Sequence, residues 1–173
     1  PLSIPQEKGE PKVLDIDEQY RPDTTLERLA RLNTIYGTKG ITAGNSPGMN
    51  DGATAILLMT RGRAEELGLQ ALATVVAQVS IAINASCIPE GPGYAMQKVV
   101  AKAGLKMEDM AVMEINEAFA CVPLVSMKLI VGNDAKKLKA IQDRMNVNGS
   151  AIAIGHPNTA SGARVIMNLM YEL

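Results

Sequence analysis

Aromatic residues are nearly absent from this chain. Its 173 residues include no tryptophan, one phenylalanine and four tyrosines, with a single histidine and two cysteines. A core without aromatics must be filled by aliphatic and thioether side chains, and the ten methionines supply the latter. Cys87 and Cys121 are too few, and too apolar in context, for a disulfide scaffold, so the expected setting is reducing and cytoplasmic. An excess of charge is missing too. Seventeen Lys and Arg against eighteen Asp and Glu leave a net charge of -1, which gives no basic footprint for nucleic acid. No apolar run reaches the ~20 residues of a membrane span. The longest, residues 118–131, is broken by Pro123, Ser126 and Lys128. Residues 1–12 are polar and proline-rich, unlike a secretory leader. Neither nucleic acid nor membrane is expected as a partner, and no metal site is expected.

What is present is an apolar fraction of 47%, normal for a globular domain, on a chain long enough for one core or two small subdomains. The first 22 residues, with prolines at 1, 5, 11 and 22, read as irregular, with a short strand in residues 12–16. Thr24 followed by Glu27 has capping-box spacing, so a helix is expected from there to about Asn33, with Leu26, Leu29 and Ala30 on one face. Residues 37–52 hold five glycines together with Asn45, Pro47, Asn50 and Asp51. This stretch is either a connector or a floor where a ligand approaches the backbone closely. It contains no nucleotide P-loop pattern.

From residue 53 onward, strand-like and helix-like stretches alternate. Residues 53–59, 72–83 and 110–115 read as strands. Residues 60–68 read as a helix capped by Thr60 and stopped by Gly68, and residues 94–103 as a helix after a turn at 89–93. Asn116 is placed to cap a buried helix with Glu117 in its first turn and Pro123 loosening its start. A charged helix is expected over 134–144 and a final one from about Ser161, with Ile166, Leu169, Met170 and Leu173 on one face. The alternation points to an α/β fold with a largely parallel sheet flanked by helices.

Residues 146–157 organise the rest. Residues 151–154, Ala-Ile-Ala-Ile, read as a buried strand that stops at Gly155-His156-Pro157. The only histidine then sits at a strand end, where open α/β sheets place their chemistry, and its side chain titrates nearest neutrality. A histidine satisfied within the core is the alternative reading.

Two blocks, Glu114-Ile115-Asn116-Glu117-Ala118-Phe119-Ala120 and 146–157, closely resemble the thiolase family of acetyl-CoA C-acyltransferases. Residues 40–45, 50–53 and 21–26 support the resemblance, which runs over essentially the whole chain in the family's order. It implies a thiolase-like, partial five-layered αβαβα fold with a mixed sheet flanked by helices. Residues 1–48 would be the tail of the loop domain, 49–70 the last strand and helix of the amino-terminal unit, and 71–173 the carboxyl-terminal unit without its final strands. The implied activity is Claisen condensation and thiolysis of 3-ketoacyl-CoA, with coenzyme A thioesters as substrates and no permanently bound cofactor.

The resemblance makes His156 the acceptor of a thiol proton and, with a water held by Asn116, an oxyanion hole. It sets Ala43, Ser46, Phe119 and His156 against coenzyme A. The nucleophilic cysteine and the CxG cysteine of the family match neither Cys87 nor Cys121, so the chain alone is expected to be inactive. A homo-oligomer or the amino-terminal thiolase half is the expected partner. The chain departs from the family pattern at Pro47, Pro123, Ser150 and Thr159. Two other readings are a non-catalytic binding or assembly module and a decarboxylating ketoacyl synthase relative; the absence of a second histidine weighs against the latter.

Overall fold

A computed structural model describes residues 1–173, which divide into two compact units, residues 1–33 and 34–173. The first unit is a short antiparallel pair, β1 (Leu2–Ile4) and β2 (Lys12–Leu14), in the register Leu2–Leu14, Ser3–Val13 and Ile4–Lys12, followed by α1 (Leu26–Ala30). The strand expected at 12–16 is therefore present as β2. The cap of α1 is Thr25, whose side chain accepts from Arg28 N at 3.2 Å. Thr24, expected in that role, instead donates its hydroxyl to Arg21 O at 2.8 Å. No residue of α1 is buried, so nothing beyond the cap extends the helix toward Asn33.

The second unit is mostly helical. Its helices are α2 (Arg61–Glu66), α3 (Gly91–Lys102), α4 (Cys121–Val131), α5 (Ala135–Gln142), α6 (Ala151–Ile154) and α7 (Asn158–Glu172), with single 3-10 turns at Ala43–Asn45, Ala85–Glu90 and Met107–Asp109. The locally coded signals hold. Thr60 caps α2 by accepting from Arg63 N at 3.3 Å, and Gly68 ends it at φ 64°. Asp134 caps α5, accepting from the backbone of Lys136 and Lys137. The turn expected at 89–93 is taken up by the 3-10 turn and the first residues of α3.

The core is Met113, Ile115, Val122, Met127, Ile141 and Met145, with Met96, Met107, Met110, Phe119 and Cys121 packed against it. Methionine and β-branched residues do the filling that aromatics do elsewhere, each large apolar side chain contributing about 1.5–3 kcal/mol on burial. Helix α4 starts four residues later than its sequence suggests, at Cys121, so Asn116 caps nothing and Glu117 precedes the helix. Pro123 is then the third helical residue, where a missing N–H costs no helical hydrogen bond. Only one side of α4 is buried; Leu124 is 53% exposed. The buried side carries Ser126, whose hydroxyl donates to Pro89 O at 2.9 Å and accepts from Gly93 N at 3.1 Å, tying α4 to the start of α3.

The sheet departs most from expectation. Residues 53–59 and 72–83 carry no regular secondary structure. Beyond β1–β2, pairing is confined to single bridges: parallel at Met113–Met145 and Met49–His156, antiparallel at Thr34–Thr42. A strand is held by its neighbours' hydrogen bonds and cross-strand side chains, and without them an apolar run does not form one. Leu57, Leu58, Val75 and Val76 of these runs are 69–79% exposed. The segment 151–154, expected as a buried strand, is the short helix α6, with Ala151 buried and Ile154 exposed. Helix α7 begins at Asn158 rather than about Ser161; of the residues expected at helical spacing, Ile166 is exposed, as is Leu173, which caps the helix.

Candidate active site

The site is built on a parallel contact that side chains prolong. Met113 N donates to Arg144 O at 2.8 Å, and Asn146 N to Met113 O at 2.9 Å. Asn146 then turns away at φ 49°, a left-handed value that asparagine tolerates better than most residues. Its carboxamide continues the ladder in place of backbone: Oδ1 accepts from Ile115 N at 2.8 Å and Nδ2 donates to Ile115 O at 3.0 Å. The same Nδ2 reaches Glu117 Oε1 at 3.2 Å. The other carboxylate oxygen of Glu117 accepts from Ile152 N at 3.2 Å, satisfying an otherwise unpaired donor in the first turn of α6. That bond supports the first turn of α6, in which the strand-like sequence 151–154 is helical. Ser150, 1% exposed, donates to Ile115 O at 3.2 Å, so the serine after Gly149 has a structural partner. Residues 115 and 117 are clamped on either side of Asn116.

His156 follows α6 through Gly155, at φ 88° and ψ 166°, a conformation essentially reserved for glycine. The backbone of His156 donates to Gly48 O at 3.1 Å and lies 3.3 Å from Asn50 Oδ1, which pins it to the 48–52 loop. Thr54 adds a hydroxyl bond to Ala160 O at 3.0 Å. The imidazole is half-buried. Its Nε2 lies 3.4 Å from Asn116 Nδ2, a long hydrogen bond, and its Nδ1 lies 2.7 Å from Ser161 Oγ. Burial, and then the positive charge of Arg164, hold the imidazole pKa below its ordinary 6.5, so the neutral ring prevails near neutrality. His156 borders an open cleft lined also by Met49, Asn50, Asp51, Gly52, Pro157 and Thr159.

Behind the ring, Arg164 donates to Gly155 O at 2.7 Å, while its Nε and Nη2 are buried without a protein partner. Glu114 Oε2 and Asn116 Oδ1 are likewise buried and unpaired. Burial first, then the charge of Glu117, push the Glu114 carboxyl above its ordinary range, opposed by Arg164.

Of the residues expected to face coenzyme A, His156 belongs to the group above, and Ala43, Ser46 and Phe119 fall in a second one. Ala43 is exposed in its 3-10 turn, which Thr42 and Asn45 cap reciprocally. Ser46 Oγ donates to Thr42 O at 2.7 Å. Asn45 O accepts from Ala120 N at 3.0 Å, next to Phe119, whose ring meets Tyr36 edge-on at 6.0 Å. The structure thus brings His156 to Asn116, and residues 43–46 to 119–120. Both cysteines are free thiols; neither is a partner of the imidazole, and Cys121 belongs to the fringe of the core. Sequence reasoning missed Ser161, Asn146 and Arg164, whose contacts span gaps that no local pattern encodes; a serine five residues after a lone histidine was the only trace of the first.

A neutral imidazole with Nε2 beside a carboxamide can take a proton from an acidic group, and the two together can hold an oxygen that gains negative charge.

Comparison with known proteins bears on the family of the chain. The family described as thiolase, C-terminal domain, matches residues 69–173, and thiolase, N-terminal domain, matches residues 1–62. An acetyl-CoA acetyltransferase of Allochromatium vinosum is 44% identical over all of this chain and 42% of its own length. Among solved structures, the Bacillus anthracis acetyl-CoA acetyltransferase superposes with a TM-score of 0.82 at 36% identity, covering 97% of this chain and 41% of that one. Human mitochondrial 3-ketoacyl-CoA thiolase in complex with CoA gives a TM-score of 0.79 at 35% identity, covering 92% of this chain and 39% of that one. The chain therefore spans about two fifths of the length of the relatives it matches.

Proposed function

This chain belongs to the thiolase family, and we propose that it forms the histidine-bearing part of an acyl-transfer site acting on coenzyme A thioesters. The observation that carries the reading is the approach of His156 Nε2 to Asn116 Nδ2 at 3.4 Å, with His156 among the residues that line an open cleft. In this reading Nε2 accepts the proton of a cysteine thiol, which then attacks the thioester carbonyl and takes the acyl group. The protonated ring donates back to the thioester oxygen. Asn116 supplies the second donor through a water, for which its buried and unpaired Oδ1 is a ready acceptor. Residues 43–46 and Phe119 support the coenzyme.

The thiol comes from the family portion not matched here, because neither Cys87 nor Cys121 lies at a family cysteine position. In the whole enzyme, residues 1–48 serve as the tail of the loop domain. Residues 53–59 and 72–83 take ladder partners in a mixed, five-layered sheet assembly. Cytoplasmic residence and a homo-oligomeric or two-part assembly belong to the same proposal, supported by two free thiols and by exposed apolar segments.

The test is acetoacetyl-CoA thiolysis. No turnover is expected from this polypeptide alone, and turnover is expected when a cysteine-bearing amino-terminal thiolase portion is added. Turnover by the isolated chain, or none from a well-formed assembly, overturns the reading. The exposure of Leu57, Leu58, Val75 and Val76 favours a second one, a non-catalytic assembly module, because large apolar patches drive association. Self-association in sedimentation with no coenzyme A binding would select it.

A further inference from the structure

We propose that Ser161 is a positioning residue that holds His156 in a single neutral tautomer, with the ring proton on Nδ1 and the lone pair of Nε2 turned toward Asn116. The inference deepens the acyl-transfer reading and takes its chemical value from it, but its structural basis is separate. The nitrogen of a carboxamide carries only donors, so the group facing His156 Nε2 at 3.4 Å calls for an acceptor there. A neutral imidazole has one proton, which must then sit on Nδ1. Nδ1 lies 2.7 Å from Ser161 Oγ, and the hydroxyl accepts it. Ser161 is 2% exposed, so bulk water does not compete for that bond.

The supporting frame is one helix. Ser161 stands in the first turn of α7, and Arg164, three residues on and on the same face, donates to Gly155 O at 2.7 Å. One face of α7 therefore fixes both the ring of His156 and the carbonyl just before it. The consequence is directional. A base at Nε2 exists only in the Nδ1–H tautomer, whereas the free neutral side chain prefers its proton on Nε2. Without the Ser161 hydroxyl the ring loses the acceptor that opposes this preference, and a donor then faces the donor of Asn116.

The chain's single histidine makes the test direct. Side-chain nitrogen resonances of the uniformly 15N-labelled full chain, recorded above the imidazole titration, distinguish a protonated from an unprotonated ring nitrogen with no assignment ambiguity. The expected wild-type pattern has Nδ1 protonated and Nε2 unprotonated. Ser161→Ala is expected to move the populations toward Nε2–H, and Ser161→Thr, which keeps the hydroxyl, to restore the wild-type pattern. A wild-type spectrum dominated by Nε2–H overturns the proposal without any variant. So does a folded Ser161→Ala chain with an unchanged pattern. Failure of thiolysis in the assembled enzyme would leave these resonances as they are, so the two readings fail separately.

Discussion

Gly155 and Asn50 touch where no side chain could be added: a Cβ on Gly155 would stand 2.5 Å from Asn50 Oδ1. The same interface repeats at Gly52, where a Cβ would fall 2.7 Å from Pro157 Cγ. The 48–52 loop and the residues around His156 are thus in backbone-to-side-chain contact, and the imidazole takes its place from that contact.

Gly155→Ala should therefore unseat the loop. The positive φ alone costs about 1–3 kcal/mol for a residue with a Cβ, and the clash adds to it. For a chain of this size the melting temperature should fall by at least several degrees, at about 2–4 °C per kcal/mol. Gly40→Ala, at a position with open space around it, is the control and should melt within a degree or two of the wild type. Equal melting of the two variants would contradict the contact.

Asn146→Ala removes three side-chain hydrogen bonds at once, two to Ile115 and one to Glu117. At about 0.5–1.5 kcal/mol each, the loss should be about 2–3 kcal/mol, visible as a lower denaturant midpoint with little change in slope. Hydrogen exchange at the Ile115 amide should accelerate more than at the amides of α5, because its acceptor is the deleted oxygen.

The imidazole should titrate below 6.5, first because it is partly desolvated and then because of Arg164. Removing that cation by Arg164→Gln should raise the midpoint toward 6.5 in an NMR titration of the single histidine. A base whose folded pKa is depressed stabilises the fold only while neutral. Its contribution is complete above 6.5, the unfolded value, and is lost as pH falls through the folded one. Wild-type stability should accordingly drop on acidification in this window, and by less in a His156→Gln chain.

In an assembled, cysteine-bearing enzyme, Asn116→Ala should lower kcat about 10²–10³-fold, the usual range for losing one oxyanion donor, with a smaller change in KM. His156→Ala should lower it further, because it removes a proton acceptor as well. An Asn116→Ala enzyme with wild-type kcat would remove the carboxamide from the chemistry.

Local signals were legible and distant ones were not. The Thr60 cap and the Gly68 stop, the charged helix within 134–144, and the pairing of the two motif blocks all follow from residues close in sequence or from family likeness. The 151–154 segment was misread because its own residues carry no trace of the contact its first turn makes with Glu117, thirty-five residues away, whose carboxylate binds Ile152 N. The strands expected at 53–59 and 72–83 were read from composition, which describes how a segment behaves once neighbours cover it and not whether they do. Ser161 was visible only as a helix opener; its bond to the imidazole depends on how Gly155 turns the chain, and the Asn50 contact that enforces this turn is a tertiary one.

The ties that seat His156 join residues more than a hundred positions apart, with Asn50 to His156 and Thr54 to Ala160 each at a separation of 106. Closing so long a loop is entropically expensive and repaid only once much of the intervening chain is ordered. The imidazole should reach its place late in folding, after the methionine-rich core has condensed. Its tautomer signal therefore doubles as a clock for the end of the folding reaction.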